Sequence, residues 1–266
     1  MTSQLSDIEV ALAAAEAGAR VVRAAYGTGL TRHAKSGLDF ATNADLDAER
    51  AVLEVIATAR PTDARVGEET GAISGEGSRR WLVDPLCGTL NFAAQTPLVA
   101  VNVALMDGSD TLACVSADPI SGETFWADTR GASVRRNGAD QPIAPSPRSR
   151  LVDVNCDGPA DRPFLGPQLL DDAAFRAVFG PRVLSTTLAV AWVAAGRRAA
   201  YVSDGPFRDN VHFAAGVGVC RSAGCVVSDL AGQELNTSRG LIVAADRAVH
   251  EQLVAIIGPH LAAMER

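Results

Sequence analysis

The chain has 266 residues, enough for one large domain or for two compact halves. Hydrophobic residues make up 47% of it and charged residues 21%, which is typical of a soluble globular protein without disordered tracts. The net charge of −7 argues against a nucleic-acid partner held by phosphate neutralisation. Because the apolar runs are short or interrupted by polar residues, no membrane partner is expected either.

The cysteines and the first residues indicate the compartment. Five cysteines without CxxC spacing favour reduced thiols over a disulfide framework. Residues 1–7 lack a basic stretch followed by an apolar one, so we expect no signal peptide and a cytoplasmic location. Lys35 is the only lysine, and every other basic residue is arginine. This bias marks Lys35 as a residue that arginine could not replace.

The first half of the chain predicts two helices, a strand and a meander. Apolar residues recur at helical spacing over residues 4–26, and a second helix is predicted from caps at residues 42–45 to about Arg60. Residues 81–83 form the predicted end of a buried strand, which Asp84 and Pro85 break. Period-two alternation then predicts an antiparallel meander of four strands, near residues 98–105, 111–117, 124–128 and 132–136.

The second half predicts alternating strands and helices, which are typical of an α/β half. A Pro-rich stretch at residues 142–147 is the expected boundary between one domain of residues 1–145 and another of residues 146–266. Strands are predicted near residues 151–156, 182–184, 199–203, 225–228 and 241–244. Helices are predicted near residues 167–178, 186–195, 212–222 and 247–263.

Several separated motifs resemble those of one family. Gly67-Glu68-Glu69-Thr70 precedes Trp81-Leu82-Val83-Asp84-Pro85-Leu86-Cys87-Gly88-Thr89-Leu90-Asn91-Phe92. This resembles the signature of the inositol monophosphatase family of Mg²⁺-dependent, Li⁺-sensitive phosphatases, in which Gly-Glu-Glu precedes Trp-x-x-Asp-Pro-x-Asp-Gly-Thr-x-Asn-Phe. Residues 39–49 and 118–127 resemble the family too. The resemblance implies an α/β fold, a layered αβαβα sandwich with an α+β N-terminal half and an α/β C-terminal half.

The resemblance also implies a metal site. In the family, two or three Mg²⁺ ions about 4 Å apart bridge the phosphate, activate a water and neutralise the leaving oxygen. By position, Glu68, Asp84 and the backbone carbonyl of Leu86 would hold the first ion, and Thr89 with Glu68 would orient the attacking water. Asp45 stands where the family has an acid that helps to bind an outer ion. Lys35 lies close to the position of the family's active-site lysine.

Substrate contacts are implied at further positions. Ser185 and Thr186 stand where the family has residues that contact the substrate, although Ser and Thr at a helix start are also common caps. The complete set of implied substrate-binding residues is Gly88, Thr89, Ser185, Thr186 and Asp209.

Two positions depart from the family pattern, and both belong to the second ion. Cys87 replaces the second Asp of the Asp-Pro-x-Asp signature. Aligning Ala214-Ala215-Gly216 with the family's Trp-Asp-x-Ala-Ala-Gly motif puts His212 at the Asp, while a shifted register would use Asp209 instead. Because His212 would lie at a helix N-terminus, we expect its imidazole to stay neutral.

The paired change allows several interpretations. The site could be a decayed one that fills space, so that the protein binds no metal. A set of Glu68, Asp84, Cys87 and His212 would suit Zn²⁺ better than Mg²⁺. One Mg²⁺ could remain at the first position. A catalytic thiol or imidazole working without metal would also explain the residues.

The first functional hypothesis is an enzyme that binds a phosphate or sulfate ester of a small polar metabolite. Its usual hydrolysis would be impaired and redirected, through departure of the leaving group, to elimination or ring closure in specialised metabolism. The alternatives are an ordinary Mg²⁺-dependent phosphomonoesterase and a non-catalytic subunit of a hetero-oligomer. A homodimer, or a heterodimer with a related or pathway protein, is expected.

Overall fold

A computed structural model describes residues 5–35, 40–158, 163–205, 207, 210–235 and 239–264. These residues divide into two compact units. The first takes in the described residues up to Pro142, together with Thr186–Leu188 and Val211–Val219. The second takes in the described remainder, from Ile143 onward. A division into domains at residue 145 stays a prediction.

Two long helices open the first unit, as the sequence predicts. Helix α1 spans Asp7–Ala25 and α2 spans Asn43–Ala59. Thr42 caps α2, since its side chain accepts a hydrogen bond from the backbone N–H of Ala44 and its own N–H donates to Asp45. The apolar stripes of both helices are buried in one core with Trp81 and the inner face of a sheet.

The first unit contains two sheets. Strands β1 (Arg32–Ala34) and β2 (Phe40–Thr42) form an antiparallel pair. The second sheet has eight strands in the order β10-β9-β8-β7-β6-β5-β3-β4. Their bounds are β3 Ala64–Gly67, β4 Gly71–Ile73, β5 Arg79–Cys87, β6 Ala100–Asp107, β7 Asp110–Ala117, β8 Thr124–Asp128, β9 Gly131–Arg136 and β10 Ala139–Pro142. The predicted four-stranded antiparallel meander is confirmed as β6 to β9.

The prediction that strand β5 ends at Val83 is wrong. The strand continues to Cys87, and its pairing register with β6 shifts between Asp84 and Cys87. An irregularity of this kind leaves a residue outside the ladder, so Pro85 can stand there without costing a ladder hydrogen bond. Helix α3 (Thr89–Ala93) follows directly.

The second unit holds a five-stranded mixed sheet in the order β12-β11-β13-β15-β14. The strands are β11 Leu151–Val154, β12 Gly180–Val183, β13 Ala200–Ser203, β14 Val226–Ser228 and β15 Leu241–Ala244. The helices of this part of the chain are α4 Leu165–Asp171, α5 Ala173–Val178, α6 Leu188–Ala194, α7 Val211–Ala223 and α8 Arg247–Met264. The single helix predicted over residues 167–178 is instead α4 and α5, because Asp172 ends the first and caps the second.

No helix among the described residues has both the length and the apolar content that a bilayer crossing needs.

Asp153 is expected to make stability depend on pH. Its carboxylate is buried and pairs with Arg198 Nε at 2.8 Å; burial raises its pKa to about 6, although Arg198 acts in the opposite direction. A folded-state pKa above the unfolded value of 3.8 gives a contribution that is full at low pH and is lost as pH rises through 6. Between pH 4 and pH 7, urea unfolding of the wild type should therefore lose roughly 1–3 kcal/mol relative to Asp153→Asn. A gain relative to the variant would contradict this sign.

Candidate active site

The end of strand β5 supplies the central carboxylate of the site. Asp84 pairs with Asn102 in the sheet register, is fully buried, and accepts a hydrogen bond on Oδ1 from the backbone N–H of Leu86 at 3.2 Å. Gly88 follows with φ of +97° as the residue before α3, a conformation that favours glycine. The irregular strand end thus leaves the Leu86 carbonyl 3.3 Å from Thr89 Oγ1 at the start of α3.

A turn after β3 brings Glu68 beside Asp84. The Glu68 backbone N–H donates to the carbonyl of Val83 at 3.1 Å, which fixes the turn against β5. The carboxylate of Glu49, fully buried in α2, accepts from the backbone N–H groups of Glu69 and Thr70, both at 2.8 Å. A Cβ at Gly67 would lie 2.5 Å from the Glu49 carboxyl group. Glycine is therefore required there by the close approach of the buried carboxylate.

His212, from the first turn of α7, completes a compact cluster in the first unit. Its Nδ1 lies 2.9 Å from Asp84 Oδ2 and 3.7 Å from Glu68 Oε2. One ligand atom from each of Glu68, Asp84 and His212 lies within 4.8 Å of the other two. The sequence hypothesis that joined His212 to Asp84 across more than a hundred residues therefore has a geometric basis.

The two carboxylates change the protonation of the cluster. Burial, and then the negative charge of Asp84, raise the pKa of Glu68 above its ordinary value. Burial alone would lower the pKa of His212, but the hydrogen bond with Asp84 and the charges of Asp84 and Glu68 outweigh it and raise that pKa. The expectation of a neutral imidazole is wrong for this arrangement, because contact with two carboxylates exceeds the effect of the helix dipole.

Lys35 joins the cluster from the other side. Its Nζ lies 2.9 Å from Glu68 Oε1 and 2.7 Å from Glu69 Oε1. Burial lowers the pKa of Lys35, yet its bonds to the two glutamates dominate and raise it. The single lysine therefore places a positive charge on the acidic turn.

Asp45 and Thr89 lie next to each other at the edge of the cluster. Thr89 Oγ1 is 3.0 Å from Asp45 Oδ1 and 3.3 Å from the Leu86 carbonyl, and it can donate to one of them. Asp45 Oδ2 accepts from the backbone N–H and the hydroxyl of Thr42. Asp45 is fully buried, so its carboxylate serves the chain as a cap and as a support for Thr89. Its role toward an outer ion stays a prediction.

Cys87 lies among polar groups that the sequence analysis did not single out. Burial, and then the charge of Asp84, raise the pKa of the Cys87 thiol well above its ordinary value, despite hydrogen bonds from the side chain and backbone of Thr187. Asn102 Nδ2 donates to Thr187 Oγ1 at 2.7 Å and lies 3.5 Å from Asp84 Oδ2. The half-buried Cys87 thiol thus stays protonated beside the buried carboxylate of Asp84.

The implied substrate-binding residues have different surroundings. Ser185 hydrogen-bonds to Asp157 within the second unit. Thr186 Oγ1 accepts from the backbone N–H of Leu188 at 3.3 Å, which is the capping role that its sequence position also allows. Asp209 lies outside the described residues. Substrate contact by these residues stays a prediction.

The sequence analysis assigned no role to three residues that contact the cluster, although one of them left a signal. Asn102 is the only strongly polar residue in the apolar strand from Leu98 to Leu105, and such an interruption marks a buried polar site. Thr187 and Glu49 lie in stretches that resemble the family, but no role was predicted for either side chain, since Thr at a helix start and Glu within a helix are ordinary there.

Comparison with known proteins accords with this geometry. The model of the inositol monophosphatase family matches residues 3–262. The chain belongs to this family. It is 32% identical to an inositol-1-monophosphatase of Caulobacter vibrioides over 232 residues, which cover 83% of this chain and 88% of that protein. It is 33% identical to the Nus factor SuhB of Pseudomonas aeruginosa over 239 residues, 85% of this chain and 86% of that one.

This chain also has the same fold as solved structures of its relatives. The crystal structure of the extragenic suppressor protein SuhB from Bartonella henselae matches with a TM-score of 0.81 and 29% identity, over 94% of this chain and 97% of that one. The α/β fold class, a layered αβαβα sandwich, and the family resemblance are thereby confirmed.

The donor atoms fit the family's first Mg²⁺ position and do not fit its second. Glu68, Asp84 and the Leu86 carbonyl offer hard oxygen ligands of the kind that Mg²⁺ prefers. Among the described residues, a protonated thiol and an imidazole bonded to Asp84 stand at the two positions where the resemblance implies further carboxylates for the second ion. If His212 lost its proton, the triad of Glu68, Asp84 and His212 would suit Zn²⁺.

Proposed function

We propose that this chain is an enzyme that binds and cleaves a phosphate ester of a small polar metabolite with one divalent cation. His212 takes the place of the second cation. The observation that carries the proposal is the 2.9 Å contact of His212 Nδ1 with Asp84 Oδ2, at the position the family gives to a metal ligand. The family's Mg²⁺ dependence and the retained first-ion ligands support a remaining cation.

The retained residues would hold that cation and the water. Glu68, Asp84 and the carbonyl of Leu86 would hold it, and a Mg²⁺ ion there would polarise the phosphate and make the attacking water more acidic. Thr89, whose hydroxyl can donate to Asp45, would accept a hydrogen bond from the attacking water and so orient it. Lys35 limits the negative charge of the Glu68-Glu69 turn, which a phosphate dianion must approach.

His212 supplies the charge that the second ion would have given. An imidazolium beside Asp84 and Glu68 is a positive group at the phosphate and an acid for a departing oxygen. It carries one positive charge instead of two, so we expect hydrolysis to be slower than with two ions. The Cys87 thiol does not serve as the base, because burial and Asp84 keep it protonated.

A second candidate is departure of phosphate or sulfate as a leaving group, with elimination or ring closure in the remaining molecule. The loss of the second-ion carboxylates favours it, because attack of water on phosphorus is weakened while an acid beside the ester remains. A non-catalytic role, alone or in a hetero-oligomer, is a third outcome; relatives named as Nus factors are the reason to keep it. Dimer formation stays part of the proposal.

Isotope labelling distinguishes these functions. The purified chain is incubated with inositol, sugar and nucleotide monophosphates and with sulfate esters, in H₂¹⁸O, with Mg²⁺, Zn²⁺ or EDTA. Hydrolysis at phosphorus gives an alcohol and phosphate containing one ¹⁸O atom. Cleavage of the C–O bond gives phosphate or sulfate without ¹⁸O and no free alcohol at the original carbon, unless water attacks that carbon.

We expect the released phosphate to carry one ¹⁸O atom. The rate of release should depend on the first power of the Mg²⁺ concentration. A second-order dependence on Mg²⁺ would overturn the replacement of the second ion. Turnover with Zn²⁺ but not with Mg²⁺ would favour His212 as a metal ligand, and unlabelled phosphate would favour the second candidate. The absence of turnover on every ester would leave the non-catalytic role.

A further inference from the structure

Both carboxylate oxygens of Asp84 are engaged by the protein itself. Oδ1 accepts from Leu86, while Oδ2 lies 2.9 Å from His212 Nδ1 and 3.5 Å from Asn102 Nδ2. A carboxylate oxygen that already receives donors on both sides is a poor ligand for a further cation, because the donors must first be displaced.

The Asn102 amide is held in one orientation. It is fully buried, and its Nδ2 donates to Thr187 Oγ1 at 2.7 Å, with Asp84 on the same side. Its Oδ1 points elsewhere and, like the hydroxyl of its strand neighbour Ser116, has no hydrogen-bond partner in the described part of the chain. The donor end of the amide thus faces the site, as the Asp84 carboxylate requires.

Thr187 links this amide to the thiol. It is nearly completely buried, and its hydroxyl accepts from Asn102 while both the hydroxyl and the backbone N–H of Thr187 bond the Cys87 sulfur. Cys87, Thr187 and Asn102 therefore form a hydrogen-bonded chain that runs from the changed ligand position to Asp84. We name these three residues the internal brace.

We infer that the internal brace and His212 close the second cation position, so that the pocket binds a single divalent cation. Thr187 and Asn102 are positioning residues that hold Asp84 for that cation. This inference deepens the proposed function, because it rests on the first cation lying at Glu68 and Asp84. It adds a binding stoichiometry and two residues to the description of that site.

Counting bound Mn²⁺ tests the closure without any turnover. Equilibrium dialysis of the whole chain against Mn²⁺, read by atomic emission, should give one ion per chain for the wild type. The double variant Cys87→Asp with His212→Asp should give two, because it restores anionic oxygen ligands at the second position. Two ions in the wild type would overturn the inference, and so would one ion in a folded double variant. Thermal unfolding verifies that each variant is folded.

A matched pair at Thr187 tests the positioning role. Thr187→Val removes the hydroxyl that accepts from Asn102 and keeps the side-chain shape, whereas Thr187→Ser keeps the hydroxyl. Losing one hydrogen bond behind Asp84 should weaken Mn²⁺ binding by about five-fold in Thr187→Val, and Thr187→Ser should bind as the wild type does. Equal Mn²⁺ affinity in the two variants would show that the Thr187 hydroxyl does not position Asp84.

These measurements can refute the internal brace without refuting the proposed function, and the reverse also holds. If no ester is turned over, one Mn²⁺ per chain and the Thr187 difference still support the brace. If phosphate is released but the wild type binds two ions, the brace is wrong while cleavage of an ester stands.

Discussion

Replacing Asp84 with Asn should strongly weaken cation binding and strongly slow ester cleavage. Asp84 is the residue shared by the first ion, by His212 and by the internal brace, and the amide removes its charge while preserving its shape. We expect Mn²⁺ affinity to fall at least about 100-fold and phosphate release to fall roughly 10³-fold. Dialysis and a phosphate-release assay measure the two effects separately.

The matched control for this prediction is Asp140→Asn. Asp140 is an exposed carboxylate of the same unit, at the edge strand β10, where it pairs with Arg135. Its replacement removes the same charge from the chain and should leave both measurements at the wild-type values. Full activity in Asp84→Asn would place the chemistry outside this cluster.

Replacing Gly67 with Ala should damage stability and the site together. The new Cβ would lie 2.5 Å from the Glu49 carboxyl group, which cannot withdraw because it is buried and accepts hydrogen bonds from Glu69 and Thr70. We expect the free energy of unfolding to fall by about 2–4 kcal/mol. Either the added methyl group overpacks the site, or Glu49 moves away and loses its two hydrogen bonds. Mn²⁺ affinity should fall at least about tenfold, because the same turn carries Glu68.

Gly29→Ala is the control for the Gly67 substitution. A Cβ at Gly29 would meet nothing within 4 Å, so the added methyl group should change stability by less than about 0.5 kcal/mol. Urea unfolding compares the two variants. A Gly67→Ala protein as stable as Gly29→Ala would show that Glu49 does not hold the turn.

Much of the fold could be predicted because its signals are local. Apolar spacing and the cap at Thr42 fixed α1 and α2, and strict alternation predicted the meander from β6 to β9. The two errors are local exceptions. Strand β5 passes through Pro85 at an irregularity, and Asp172 ends one helix while starting another. A rule based on residue propensity uses only the residue that breaks the pattern. It does not include the partner strand or the cap that accommodates that residue.

The candidate site was predicted in part. Residues in local motifs were found, whereas properties that depend on contacts between distant segments were not. Glu68, Asp84 and Lys35 were found through separate short motifs, and their placement in one cluster agrees with that prediction. The protonation of His212 was missed, because it depends on two carboxylates from distant segments and on burial. Asn102 was missed for the same reason, since its function depends on neighbours across the sheet and from the start of α6.

The sequence by itself determined the family, the order of most elements and the two positions, Cys87 and His212, that depart from the family pattern, because these are properties of residues along the chain. Only the tertiary structure decided what surrounds these two residues. A charged imidazole on Asp84 and a hydrogen-bonded brace from Cys87 to Asn102 exist only once four segments of the chain meet. Burial strengthens each hydrogen bond and shifts each proton affinity, and burial is a property of the folded chain.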